Sequence, residues 1–527
     1  MLVFSFTARS HHSAQSHPYR ILFLDLTDPI IPAPKRRSHR LKPWRVIGWV
    51  LVVAAFCGLL VVQGKAMILF YEHGRAAVEF PYTLNYGEGP LLDQTMRLLR
   101  GEPLYAADVS LPPYTITNYP PLYILLQTPM AASQGAALWY GRAITLVATL
   151  WSALMIAVIV GSVGKDALAG IAAGLTLPAI PYIFHWSALA RIDGLALALS
   201  LTGIACIARG YRSWWGVLGA VVLLTAAIYT RQTYALAAPL GVFVWLWARM
   251  NIYRALVFAV GVGGLVLALF ILMLVATEGG FFTHLITANV NPLDSTILTF
   301  YVDEITVHLP IFLVGGALCL TLGALVARPG WWLIAAYSVG ALGSALTIAK
   351  VGSDVNYLWE FSAALCLLAG LLIASAKRVP VLRAGLLVAL AFQITMVTTL
   401  SESKYNGIIT ERIQKRDQIA TLEAYLRTHQ GVTIADEFMS ELVISGQRVQ
   451  LQPFEFSQLA RDGVWDERPL LAAMMRGDYQ RIMIYQPYRN PSLRFERWTP
   501  EMLRVINSAF RPILQTAETT IYEYIPP

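Results

Sequence analysis

Tyr86-Gly87-Glu88-Gly89-Pro90-Leu91-Leu92-Asp93, Leu98-Leu99-Arg100-Gly101-Glu102-Pro103-Leu104-Tyr105 and Asn118-Tyr119-Pro120-Pro121-Leu122-Tyr123 follow one another between residues 86 and 123. They come directly after an apolar run, Val46 to Gln63, and most of the chain beyond them is apolar as well. Irregular backbone cannot lie in the hydrocarbon of a bilayer, where nothing pairs its N–H and C=O groups. Acids at such a place also need a partner or a task. The stretch therefore reads as a structured loop at a membrane surface, beside a bundle of membrane-spanning helices.

Composition agrees. Of 527 residues, 56% are hydrophobic and 14% charged, against about 25% charged in soluble domains. The chain is an integral membrane protein. Cys57, Cys206, Cys319 and Cys366 each fall inside an apolar run, with neither pairing nor metal spacing, and read as small core residues. Much of the net charge of +8 lies in short loops and in the run Lys35-Arg36-Arg37, His39-Arg40, Lys42, Arg45. That run orients the first span with its N-terminus in the cytoplasm. Attraction to anionic headgroups accounts for the charge without a nucleic acid.

Residues 1–45 are polar, with no cleavable signal pattern. They read either as a disordered cytoplasmic lead or as a start placed too far upstream. Residues 46–400 form the transmembrane module, with a first outer loop over 66–138. Inside that loop Pro120 to Ser133 is apolar but only about 14 residues long, short of the roughly 20 a crossing needs. Taken as interfacial or re-entrant, it leaves further spans at about 140–160, 167–184, 191–208, 214–230 and 232–248. Five more fall at about 255–275, 308–326, 331–349, 357–375 and 380–399. Lys165, Arg209, Arg212, Arg249, Arg254, Arg328, Lys377, Arg378 and Arg383 then all lie on the inner side, as the positive-inside rule requires. The expected fold is an all-α polytopic membrane protein of about eleven spans. Its outer C-terminus is a small α/β domain over 401–527, with strands expected at Thr433–Asp436, Arg448–Leu451, Arg481–Tyr485 and Thr519–Tyr524.

Several polar groups gather on the outer side. Glu88 sits between two glycines that would let a ligand approach the backbone, and Pro90 suits the first turn of a helix that Glu88 would open. It serves either a ligand or that helix dipole. Asp93 could hold a metal, bind an acceptor, or pair with Arg97 four residues on. Arg191 and Asp193 stand at the entrance of a span, where such residues either snorkel and pair or bind a ligand. Arg231 precedes Gln232 between two spans. Lys350, Asn356 and Tyr357 occupy another outer connection, and a lysine there could meet a phosphate as a point charge. Glu360 near the start of its span faces the cavity or pairs with one of these cations. His73, His185, His284 and His308 have no ligand spacing, so no metal site is expected.

Taken in order, Gly87-Glu88-Gly89, the Leu98 to Tyr105 stretch, Tyr119-Pro120-Pro121-Leu122-Tyr123, Ala190-Arg191-Ile192-Asp193-Gly194-Leu195-Ala196-Leu197, Arg231-Gln232-Thr233, Asn289-Val290-Asn291-Pro292 and Gly352-Ser353-Asp354-Val355-Asn356-Tyr357 resemble the GT-C superfamily. Its members are polyprenyl-phosphate-dependent glycosyltransferases. The likeness is to the bacterial branch related to the protein mannosyltransferases, the aminoarabinose transferase of lipid A and the RgtA/B/C/D-like proteins. It covers most of residues 46–400. The resemblance implies an inverting, metal-optional hexosyl or pentosyl transfer from a polyprenyl-phosphate-linked sugar to a glycan, lipid or protein hydroxyl of the envelope.

The same resemblance implies a multi-pass protein of the bacterial plasma (inner) membrane. It makes Glu88 the general base, and Asp93 joins it as the second catalytic candidate on the residue reading given above. Arg191, Asp193, Arg231, Lys350, Asn356 and Tyr357 become candidates for binding the substrate. No cofactor is expected. The family commonly carries an Asp-Glu pair where this chain has Gly87-Glu88, which leaves the first acidic role open to Asp93. The competing readings are a lipid or sugar transporter or flippase, whose mark would be internal repeats with broken helices, and a non-catalytic relative acting as a scaffold.

Overall fold

A 37-residue helix, α1 (Pro43–Glu79), opens the described part of the chain. At 1.5 Å per residue it is about 55 Å long, so it projects well beyond the apolar run 46–63. The computed structural model describes residues 43–289, 291–326, 330–488 and 490–526. The polar lead and Arg328 lie outside them. The chain divides at Pro43, and the unit Trp44–Pro527 carries both the helical bundle and the sheet.

The outer loop contains α2 (Glu88–Leu99) and α3 (Leu122–Gln134). The bundle continues with α4 (Trp139–Gly164), α5 (Ala167–Gly174), α6 (Pro181–Ser187), α7 (Asp193–Gly210) and α8 (Trp214–Ile228). After these come α9 (Ala237–Arg249), α10 (Ile252–Ala276), α11 (Gly280–Leu285) and α12 (Ser295–His308). It closes with α13 (Pro310–Val326), α14 (Trp331–Ala345), α15 (Trp359–Ser375) and α16 (Pro380–Leu400).

Among the described residues seven helices are long and apolar enough to cross a membrane, or nine if each of two bent pairs counts as one span. The bends are 61° before Pro181 and 89° before Pro310. A proline opens the second limb at each, because it lacks the N–H that would continue the first helix. The expected spans 214–230 and 232–248 are helical, but as α8 and α9 they have only 15 and 13 residues. Length thus separates seven to nine crossings from the eleven expected. Helix α3, with 13 residues, is likewise short of a crossing. Side chains such as Val260, Leu267, Leu272 and Val275 on α10 point away from the protein, whereas α15 is buried nearly all round.

Charge is partitioned along the bundle. Arg142 lies in the first turn of α4 next to Glu88, and Lys165 caps the far end of the same helix, about 35 Å away. Around that far end Arg383 pairs with Asp166 at 2.7 Å, and Arg254 donates to the backbone carbonyls of Tyr211 and Arg212.

Helix α16 runs on through a π-turn at Ser401–Tyr405 into α17 (Asn406–Gln414), then α18 (Arg416–Thr428). Beyond them a four-stranded sheet has the order β1-β2-β4-β3, built from β1 (Thr433–Ala435), β2 (Arg481–Tyr485), β3 (Phe510–Thr516) and β4 (Thr519–Tyr524). Strands β1 and β2 are parallel, and the other pairs are antiparallel. Five helices pack around it: α19 (Met439–Ile444), α20 (Pro453–Arg461), α21 (Arg468–Arg476), α22 (Leu493–Arg497) and α23 (Pro500–Ala509).

Two expectations change. Arg448–Leu451 is not a strand of the sheet, because its backbone pairs with the first outer loop instead. Tyr114 N donates to Gln450 O at 2.8 Å, and Gln452 N to Tyr114 O at 2.9 Å. The sheet also has a strand the sequence did not announce, β3, joined to β4 through Ala517 and Glu518, both at positive φ. The outer loop and the α/β part are thus stitched into one body. Gly89 tightens the seam: a Cβ there would lie 2.8 Å from both Met439 Cβ and Ser440 N of α19.

Candidate active site

Glu88 opens α2 and is fully buried. Arg142 grips it with two nitrogens, Nε to Oε1 and Nη2 to Oε2, each at 2.8 Å. Ala190 N donates to Oε1 and Leu84 N to Oε2, also at 2.8 Å. Arg142 spends its remaining donors on the carbonyls of Ala77, Phe80 and Tyr82. A bidentate charged pair with every group satisfied fixes geometry well. Here it ties the end of α1, the start of α2, the first turn of α4 and the turn before α7 to one another. Burial alone would raise the Glu88 carboxyl, but the Arg142 charge and the surrounding N–H groups hold it below its ordinary value.

In front of this anchor lies a cavity of about 150 Å³. Tyr86, Gly87 and Tyr119 of the outer loop form one wall, with Arg191 and Arg231 from the bundle beside them. Asn289, Lys350 and Tyr357 form another wall, and Phe454, Glu455 and Gln458 of α20 close it.

Arg231 is 2% exposed and pairs with Asp193, whose other oxygen accepts from Trp186 Nε1 at 2.7 Å. Asn356 braces the pair, donating to Asp193 at 3.3 Å and accepting from Arg231 at 3.2 Å through its carbonyl. The guanidinium lies 4.4 Å above the Tyr357 ring, and its Nη2 has no hydrogen-bond partner among the described residues. Lys350 Nζ donates to the backbone and side chain of Asn289, and burial lowers its pKa from the ordinary lysine value. Arg191 reaches the Tyr119 hydroxyl at 3.4 Å and leans on the Trp186 ring at 5.1 Å. It also fills the space a side chain at Gly87 would need: a Cβ there would fall 1.3 Å from Arg191 Nη1.

The eight residues singled out from the sequence therefore separate into layers. Arg191, Arg231, Lys350 and Tyr357 line the cavity. Asp193 and Asn356 stand behind Arg231 and orient it. Glu88 lies behind Gly87 rather than on the wall. Asp93 is 1% exposed on α2, beside the Val449 backbone, and burial pushes its carboxyl up to about 6. Glu360 is buried and is not part of the lining.

Sequence reasoning passed over Arg142 and Glu455. An arginine near the start of an apolar run is a signal that could have found the first. Nothing local marks the second. Among the described residues no three His, Cys, Asp or Glu side chains converge to hold a metal ion.

A polytopic bundle capped by a small α/β unit is the fold this chain shares with solved membrane proteins. ArnT from Cupriavidus metallidurans in the apo state superposes with a TM-score of 0.58 at 12% identity, over 91% of this chain and 98% of that one. The same protein bound to undecaprenyl phosphate gives 0.57 at 13%, over 88% and 97%. The Archaeoglobus fulgidus oligosaccharyltransferase tethered to an acceptor peptide gives 0.51 at 8%, over 86% and 74%. No protein-family model and no curated protein matches the sequence.

Proposed function

We propose that this chain is a membrane glycosyltransferase that moves a sugar from a polyprenyl-phosphate donor to a hydroxyl of an envelope glycan, lipid or protein. The convergence of Arg191, Arg231 and Lys350 on one cavity carries the reading. A phosphate leaving an anomeric carbon gains negative charge, and fixed cations stabilise that charge most where water is scarce. Arg231 meets the requirement best, being held by Asp193 and Asn356 with one nitrogen left over. The solved ArnT with undecaprenyl phosphate supports a lipid-phosphate ligand for this fold. Single displacement at the anomeric carbon inverts its configuration, and we assign the reaction to that class. The protein belongs on this reading in a bacterial inner membrane, with the cavity and the α/β part outside the cytoplasm.

The test supplies membranes containing the full chain with radiolabelled polyprenyl-phosphate hexoses and pentoses and follows the label. Transfer to an envelope acceptor is expected, lowered about 10²-fold or more by Arg231→Ala. Absence of transfer from every donor would refute the reading. Movement of intact labelled donor across the bilayer would favour the flippase.

A further inference from the structure

Resting on that reading, we propose that the general base is Glu455, brought to the cavity by the C-terminal α/β part, with Tyr86 positioning it. Among the described residues Glu455 is the one acid that lines the cavity. It is partly exposed, whereas Glu88 is sealed off. A base needs a lone pair that a substrate proton can reach, and the lone pairs of Glu88 are directed at Arg142, Leu84 and Ala190. The neutral Tyr86 hydroxyl donates to Glu455 Oε2 at 2.5 Å. Arg497, 4.7 Å above the Tyr86 ring, donates to Glu437 at 2.7 Å, and its charge also acts on Glu455. Burial raises the Glu455 carboxyl above its ordinary value, against the opposing effects of the Tyr86 bond and of the Arg497 and Arg191 charges. A carboxylate in that state accepts a proton more readily than one clamped by a guanidinium.

The placement is built in. Glu455 stands in the first turn of α20, three residues after Gln452, whose side-chain oxygen accepts from Ile116 N at 2.8 Å. The stitch at Tyr114 therefore sets the end of α20 against the loop that carries Tyr86. In the step itself the acceptor O–H gives its proton to the Glu455 carboxylate, and its oxygen forms the bond to the anomeric carbon. The bond from that carbon to the phosphate oxygen breaks, its electron pair leaving with the polyprenyl phosphate. Arg231 and Lys350 meet the charge that develops there.

Full-length Glu455→Gln, Glu455→Asp and Glu88→Gln in membranes would be compared for label transfer, and after purification for binding of undecaprenyl phosphate. Glu455→Gln is expected to lose about 10²-fold or more in transfer while binding as the unaltered chain does. Glu455→Asp should keep an intermediate rate, and Glu88→Gln should chiefly lower the yield of folded protein. Transfer by Glu455→Gln within threefold of normal overturns the assignment. If that variant fails to bind, Glu455→Asp decides: bound but slowed tenfold or more supports the assignment, bound and fully active overturns it. An unaltered chain that binds undecaprenyl phosphate yet transfers nothing refutes the glycosyltransferase reading itself, and Glu455 as base with it.

Discussion

Glu88 and Asp93 lie five residues apart on one helix, and their surroundings drive them in opposite directions. Arg142 keeps Glu88 ionised, whereas burial pushes Asp93 up to about 6 from an ordinary 3.8. The folded chain therefore favours protonated Asp93, so this residue's contribution to stability is fully present below about pH 4 and is lost as pH rises through about 6. Asp93→Asn keeps the neutral shape. It should stabilise the protein above pH 6 by up to about 3 kcal/mol, an advantage that shrinks away towards pH 4. Thermal unfolding of detergent-solubilised protein at pH 7.5 and pH 4 checks this, and an equal gain at both values would refute it. The cations of the cavity were legible because arginine and lysine at span ends are conspicuous in an apolar chain. Glu455 was not, being one acid among many in a soluble-looking segment, brought to the site by contacts distant in sequence.

The elements were legible to the extent that a local signal exists. Hydropathy found every long helix, since a run of apolar residues is both cause and sign of a span. It could not show that α8 and α9 stop short, or that α1 continues as a helix beyond the apolar run. Strand β3 escaped because its turn is Ala517-Glu518, without the Asn or Gly that marks two-residue hairpins. Arg448–Leu451 has strand-like alternation, but its partner is the outer loop. That pairing is testable. Gln452→Ala leaves the buried Ile116 N–H without its acceptor, an expected loss of about 1–3 kcal/mol. It should also slow transfer more than it weakens undecaprenyl phosphate binding, because α20 would no longer be held against the loop. A rate and a Tm both unchanged would show the stitch to be incidental.

Across the whole molecule the two ends of the bundle differ in kind. One gathers Lys165, Arg209, Arg254 and Arg383, the other a cavity roofed by the α/β part. On the proposed orientation, which follows the positive-inside rule, the first faces the cytoplasm. With the native cysteines replaced, a cysteine at Ser492 should react with a membrane-impermeant maleimide in intact cells, and one at Ser213 only after lysis. The reverse pattern would invert the orientation.

The seam at Tyr114 also bears on how such a protein is made. Chain emerging from the ribosome lays down Arg191, Arg231 and Lys350 first, and Glu455 follows only after all the spans have been inserted. On the proposed orientation and with Glu455 as the base, the nascent chain holds a basic hollow that can trap an anion but has no acid to take up a proton until the last stretch has been exported and has closed over the outer loop. Completion of synthesis, rather than arrival of a ligand, would then arm the site.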